Sequence, residues 1–154
     1  MTTTRLLVAA AIGAALFAVL LAVRHHAQVG VVLPRLTPGV VNVAVSQANI
    51  RTTICRSGWT KTIRPPVSYT NALKLEQMRR YGEHGPRSAY QEDHLISLEL
   101  GGDPNDPRNL WPEPYPRAAD VDRVENELNA KVCSGALTLR AAQNEESRLK
   151  HTQG

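Results

Sequence analysis

The segment YQEDHLISLELGGDPNDPRNLWPEPY, residues 90–115, decides the fold of this chain. Its first half alternates apolar and polar side chains and closes on a double glycine, which predicts a β-hairpin arm over residues 89–100. Residues 103–116 are rich in proline, which excludes a helix or a central strand there. We therefore expect an ordered loop in this second half, held in place by Leu110 and Trp111.

Apolar residues at helical spacing occur on both sides of this segment. They predict a helix over residues 70–81, with Thr70 as its N-cap, and a second helix over residues 118–132. A final short helix is expected at residues 137–149. Residues 49–68 are rich in Thr, Ile and Val and are interrupted by two prolines, so they predict short extended segments.

An uncharged run, residues 6–23, precedes all of these elements. At 18 residues it is longer than the usual signal-peptide core of about 7 to 15 and slightly short of the about 20 that span a bilayer, so cleavage and anchoring both remain open. The absence of a good small-x-small cleavage site favours an anchor. We expect an exported protein, periplasmic or extracellular, with residues 1–27 as signal peptide or membrane-anchoring helix, 28–48 as linker and 49–150 as the domain.

The two cysteines, Cys55 and Cys133, are expected to form a disulfide, because an even number of cysteines in an exported chain permits pairing. Two unpaired buried thiols are the alternative. The sequence has no CxxC spacing of the kind that binds zinc, which argues against a metal site built from cysteines.

The formal net charge of +4 is unevenly distributed. Residues 51–87 contain eight Lys or Arg and two Glu, whereas residues 88–154 contain seven Lys or Arg and twelve Asp or Glu. A polyanion could lie along the basic half while a cation binds in the acidic half. A solvated surface of mixed charge is the commoner cause of such a division.

Three polar features stand in order in this chain: the pair Asp93 and His94, then Asn109, then Asn126 on the following helix. Together with the strings around them they resemble the HNH endonucleases, also called ββα-metal or His-Me finger nucleases. The stretch from Asn49 to about Gln143 resembles small exported bacterial HNH-like proteins of unassigned role. The matching strings are TIC (53–55), RPPVSYT (64–70), DHL (93–95), LELGG (98–102), NLWPEP (109–114), DRVEN (122–126) and VCSG (132–135).

Two positions depart from this pattern. Ser97 stands where the family commonly has proline, and the last helix lacks the apolar and tryptophan residues expected near its end. The first departure is expected to be harmless. Because of the second, we expect residues 144–154 to pack poorly and to fray.

The resemblance implies an α+β fold in which a β-hairpin packs on a helix to form a ββα-metal finger, with flanking helices. It implies a catalytic set of His94, Asp93 and Asn109, in which His94 is the general base and Asn109 holds the loop by hydrogen bonds. Asp93 and Asn126 would hold a divalent ion, Mg²⁺ first and Mn²⁺ or Ca²⁺ as alternatives. Asp122 shares a helix face with Asn126 and could support the ion from outside its inner ligands. The candidates for phosphate contacts are Arg108, Arg117 and Arg123.

These features predict an endonuclease of low sequence specificity that hydrolyses nucleic-acid phosphodiester bonds, with DNA rather than RNA as the expected partner. The membrane is a further partner if residues 6–23 are not cleaved, and the sequence does not indicate an oligomeric state. The alternative is a catalytically inactive HNH-like scaffold that binds nucleic acid or an envelope partner. A toxin-like effector delivered between cells is a third reading.

Overall fold

The computed structural model describes residues 37–152, which contain four α-helices and one antiparallel sheet of two strands. The predicted α+β class is confirmed at this level, and the leader predicted at residues 1–27 lies outside the described residues. No helix within residues 37–152 is long and apolar enough to cross a membrane. The elements are a 3₁₀ helix at Gln47–Thr52, α1 at Trp59–Ile63, α2 at Val67–Tyr81, a 3₁₀ helix at Arg87–Ala89, β1 at Tyr90–His94, a 3₁₀ helix at Leu98–Leu100, β2 at Leu110–Pro114, α3 at Arg117–Ser134 and α4 at Leu139–Thr152.

The sheet pairs β1 with β2, in a register that runs from Tyr90 opposite Pro114 to His94 opposite Leu110. The predicted hairpin arm is therefore confirmed only at Tyr90–His94, and the prediction of a loop is wrong for Leu110–Pro114. The first strand is where the alternation placed it, but its partner is the proline-rich stretch that the sequence assigned to a loop. Between the strands the chain forms a 3₁₀ helix and turns instead of a second strand arm.

The register explains how β2 tolerates prolines. The amide of Leu95 donates to the carbonyl of Asn109 at 2.8 Å, just beyond the paired residues, so the interstrand hydrogen bonds fall on odd-numbered residues. Pro112 and Pro114 occupy even positions, where the backbone nitrogen points away from the partner strand. Neither proline removes a hydrogen bond between the strands.

The segment before the sheet is helical rather than extended, so the prediction for residues 49–68 is wrong. The carboxamide of Asn49 stabilises the first turn by accepting from the amide of Ser46 at 2.8 Å and donating to the carbonyl of Ala44 at 2.9 Å. Local composition rich in Thr, Ile and Val is a weak guide to strands when no partner strand is present. Helix α2 begins directly after Pro66 and three residues before the predicted cap Thr70, because proline is well tolerated at a helix start.

Residues 37–46, which the sequence assigned to the linker, pack on the domain. The amide of Gly39 donates to the backbone carbonyl of Arg108 at 3.0 Å, and the amide of Asn42 donates to the backbone carbonyl of Gly101 at 2.9 Å. The side chain of Thr37 is buried and hydrogen-bonds with the hydroxyl of Tyr81. The folded part of the chain therefore begins before Asn49.

The main core lies between α3, α4 and the 3₁₀ helix after β1. The predicted apolar stripe of α3 supplies Leu128 and Val132 to this core, and the helix ends at Gly135, as the pattern indicated. The predicted disulfide between Cys55 and Cys133 is confirmed and joins the segment before α1 to the end of α3. The buried core residues are Ile54, Ile96, Leu100, Leu128, Val132, Leu139 and Ala142.

Replacement of both cysteines by serine should lower the free energy of unfolding by about 2–4 kcal/mol, because the disulfide closes a long loop in the unfolded chain. The two residues are 78 positions apart. Urea denaturation of the wild type and the double variant, each with and without reductant, measures the difference. Reductant should shift the midpoint of the wild type alone, and identical midpoints for all four samples would contradict a stabilising role.

Candidate active site

A cavity of about 200 Å³ opens where the end of β1 meets α3 and the residue that follows α1. It brings together four residues that the sequence selected: Asp93, His94, Asp122 and Asn126. Chain segments far apart in sequence thus contribute a carboxylate, an imidazole and a carboxamide to one space. The lining residues are Arg64, Gln91, Asp93, His94, Ser97, Leu98, Glu99, Asp122, Glu125 and Asn126.

His94 is held in one orientation by a backbone contact. Its Nε2 lies 3.1 Å from the carbonyl oxygen of Pro104, and because a carbonyl can only accept, Nε2 carries the proton and donates it. In the neutral ring Nδ1 then has a free lone pair, and no hydrogen bond to Nδ1 is made by any group within residues 37–152. Burial lowers the pKa of His94 from its ordinary value, which favours this neutral form. The ring is thus prepared to accept a proton at Nδ1.

Asn109 is fully buried and lies outside the cavity, where its carboxamide ties the loop together. Its Oδ1 accepts from the amides of Ile96 and Val40 at 2.9 and 3.2 Å, and its Nδ2 donates to the carbonyls of Ile96 and Asp103 at 3.0 and 2.9 Å. Gly102 is needed at this point, because a Cβ there would lie 1.8 Å from the oxygen of Ile96. These contacts fix the turn that follows His94.

Asp93 has a partner that the sequence did not indicate. The ammonium of Lys150 lies 3.0 Å from its Oδ2 and also donates to the backbone oxygen of His94 at 2.5 Å and to Oε1 of Glu125 at 2.6 Å. The Lys150 side chain is 1% exposed, and Glu146, one turn earlier on α4, lies 3.7 Å from the same ammonium. Three hydrogen bonds satisfy all three protons of this buried cation.

The carboxyl groups around Lys150 differ in pKa. Although burial opposes ionisation of Asp93, the contact with Lys150 holds the pKa of that carboxyl below its usual value. Burial and the charge of Asp93 raise the pKa of Glu113 to about 8, and burial raises that of Glu125 to about 9. Burial opposes the charged form of Lys150, but the surrounding carboxylates raise its pKa. The cluster therefore keeps Asp93 ionised, whereas Glu113 and Glu125 are mostly protonated near neutral pH.

The end of α4 is packed, so the expectation that residues 144–154 fray is wrong for the described part of this range. Glu146 and Lys150 occupy inward positions on the same helix face as Leu139 and Ala142, and all four are buried. Two ionisable side chains thus fill the space where the family pattern led us to expect apolar residues. Helical spacing from Leu139 was the available signal, since it places both side chains within the apolar stripe.

The three predicted phosphate-contacting arginines do not line the cavity. Arg108 is exposed and pairs with Asp106 at 2.6 Å, and Arg123 pairs with Asp120 on its own helix at 3.6 Å. Arg117 lies over the ring of Trp111 at 5.2 Å from its centroid and donates to the backbone oxygen of Lys150 at 2.7 Å. Its side chain supports α4 instead of facing a ligand.

Arg64 is the arginine that does line the cavity, and the sequence analysis did not select it. It follows α1 directly and is exposed. It opens the string RPPVSYT, which the resemblance to exported HNH-like proteins already covered, so that string was the signal available. Asn126 on α3 lines the same cavity and donates its Nδ2 to the backbone oxygen of Asp122 at 2.7 Å, which leaves its Oδ1 able to bind a ligand.

The oxygens of the cavity suit a hard divalent cation in their chemistry. Asp93, Asp122 and Asn126 contribute two carboxylates and one carboxamide, the donors that Mg²⁺ and Ca²⁺ accept. Residues 37–152 contain no group of three His, Cys, Asp or Glu side chains arranged to hold a metal ion by themselves. An ion in this cavity would therefore take few ligands from the protein and the remainder from water or substrate.

Comparison of the chain with models of protein families, with curated proteins and with solved structures gives no match.

Proposed function

We propose that this protein is a metal-dependent endonuclease that hydrolyses phosphodiester bonds of nucleic acid, with DNA as the first substrate to test. The observation that supports this most is the orientation of His94, whose Nε2 donates to the Pro104 carbonyl while Nδ1 keeps its lone pair beside an acidic cavity. A general base of this kind needs an unprotonated nitrogen, a fixed ring and room for a water molecule. His94 meets the first two conditions, and the cavity it lines provides the third.

In this proposal His94 accepts a proton from the attacking water at Nδ1. Burial keeps the imidazole neutral before the reaction, and the adjacent ionised Asp93 stabilises the imidazolium that forms. The hydrogen bond to Pro104 prevents the ring from turning its protonated nitrogen towards the water. In the same proposal Arg64, which lines the cavity, binds the phosphate through its guanidinium.

Asp93 and Asn126 are the residues that would hold a divalent ion, with Asp122 behind them. When bound, such an ion neutralises charge on the phosphate and assists the departing 3′ oxygen. The ammonium of Lys150 contacts Oδ2 of the Asp93 carboxylate, so a divalent ion would be bound through Oδ1. An exported location agrees with the disulfide, which persists in oxidising compartments.

The test is incubation of the purified full-length chain with supercoiled plasmid, linear DNA and RNA in Mg²⁺, Mn²⁺ or Ca²⁺, with a chelator in the control. We expect nicking of the plasmid that the chelator abolishes and that added metal restores. Mn²⁺ binding measured by electron paramagnetic resonance should weaken in Asn126→Leu, independently of any cleavage. A well-folded protein that cuts none of these substrates with any ion would exclude the endonuclease.

One observation favours a second function, that of a scaffold which binds nucleic acid without cutting it. Lys150 already neutralises Asp93 from a distance of 3.0 Å, and a carboxylate compensated in this way binds a metal ion less strongly. The scaffold should bind oligonucleotides with an affinity that neither chelator nor replacement of His94 changes. Metal-dependent nicking would exclude this alternative.

A further inference from the structure

A second cavity of about 310 Å³ lies directly beside the first. Glu99 lines both. On α3, Asn126 lines the first cavity, and Asn129, about one turn later, lines the second. At α1, Arg64 lines the first cavity, and Thr60, about one turn earlier, lines the second. The two cavities are therefore neighbours that share one wall residue and are lined by successive helical turns. We call the second cavity the flanking groove.

The flanking groove is lined by one basic side chain, Arg56, and one acidic side chain, Glu99, and the segment that contributes Arg56 is basic. Residues 47–64 contain four Lys or Arg and no Asp or Glu, and all four basic side chains are exposed: Arg51, Arg56, Lys61 and Arg64. None of these four forms an ion pair within residues 37–152. Arg64 in the first cavity and Arg56 in the flanking groove thus both present positive charge without an ion-pair partner. Such charge attracts a polyanion.

The flanking groove is also held in shape by covalent and hydrogen bonds. The disulfide between Cys55 and Cys133 joins its two walls, and Arg56 follows the first of these cysteines directly. The side chain of Asn129 donates to the backbone oxygens of Glu99 and Ile54 at 2.7 and 3.4 Å. A groove that is already formed loses less conformational entropy when an extended ligand binds.

We propose that the flanking groove binds the nucleic-acid strand next to the bond that is cut, and that Arg56 contacts a backbone phosphate there. This inference rests on the proposed function of the first cavity, because the strand is the continuation of the substrate bound beside His94. The chemistry recognised is the phosphodiester backbone, since Arg56 lines the groove and its guanidinium forms no ion pair within residues 37–152. Arg64 would then bind the phosphate at the reacting bond and Arg56 a phosphate farther along the same strand.

The experiment measures binding of a fluorescent single-stranded oligonucleotide to the full-length chain by anisotropy, in chelator, over a series of salt concentrations. Arg56→Gln should weaken binding roughly three- to tenfold and lower the slope of log affinity against log salt by about 0.7, the value for one lost phosphate contact on a single strand. The loss should be greater for a long oligonucleotide than for a dinucleotide. Arg56→Lys, which keeps the charge, should retain the slope.

Arg80→Gln is the matched control, because Arg80 is an exposed arginine on α2 that lines neither cavity. Equal affinities and slopes for the Arg56 and Arg80 variants would overturn the proposal. So would a loss in Arg56→Gln that does not depend on salt or on oligonucleotide length. Because binding is measured without metal, failure of cleavage alone would reject the endonuclease and leave the groove to be judged by these binding data.

Discussion

Lys150→Met should destabilise the protein by about 3–5 kcal/mol, the usual cost of removing one member of a buried ion pair. The variant keeps most of the side-chain volume but leaves Asp93 ionised or forces it to protonate in a buried site. It also leaves the backbone oxygen of His94 and Oε1 of Glu125 without their donor. Guanidinium denaturation followed by circular dichroism measures the loss.

Lys131→Met is the matched control, since Lys131 lies exposed on α3 and should change stability by less than about 0.5 kcal/mol. The double variant Asp93→Asn with Lys150→Met should recover part of the loss, because Asp93 is the ionised carboxylate that Lys150 compensates. If Lys150→Met were as stable as the control variant, the Lys150 ammonium would not stabilise the fold through this cluster.

His94→Ala should reduce plasmid nicking by roughly 10²- to 10⁴-fold, the range that a general base contributes. His94→Gln should be equally inactive, because a carboxamide can replace the hydrogen bond to Pro104 but cannot take a proton from water. The rate of conversion from supercoiled to open-circular plasmid, with folding checked by circular dichroism, measures both variants.

His84→Ala is the corresponding control, because His84 is exposed and lies outside the cavity. It should nick at the wild-type rate. Cleavage that survives in well-folded His94→Gln would show that another group activates the water and would remove His94 from the mechanism.

Several features followed from local sequence because they depend on short spacings. The apolar stripe of α3 was predicted from the 3.6-residue spacing of its apolar residues, and the end of the helix was predicted from Gly135. The pairing of Cys55 with Cys133 follows from their number and the expected compartment. That Asp93, His94 and Asn126 line one cavity was expected from the resemblance rather than from periodicity.

Other features depend on contacts between distant parts of the chain. Strand β2 was missed because prolines normally exclude strands, and only the register shows that Pro112 and Pro114 occupy positions without interstrand bonds. Lys150 was missed because its partner Asp93 is 57 residues earlier, and a lysine near a helix end usually lies in solvent. Arg64 reaches the cavity only because the turn after α1 brings it there.

The register of β1 and β2 also determines which backbone groups lie on the free edges of the sheet. On the outer edge of β2, Pro112 and Pro114 present no N–H to a neighbouring chain. The carbonyl of Leu110 on that edge accepts from the side chain of Gln77 at 2.8 Å. This side of the hairpin therefore has few groups left with which another strand could pair.

On the outer edge of β1, two lysine side chains donate hydrogen bonds to backbone carbonyl oxygens. Lys74 donates to the backbone oxygen of Tyr90 at 3.0 Å, and Lys150 donates to that of His94 at 2.5 Å. A sheet blocked in this way on both sides resists the edge-to-edge association that leads to aggregation. Partners that dock by adding a strand are disfavoured for the same reason, so a protein that binds this domain would have to use its helices and loops.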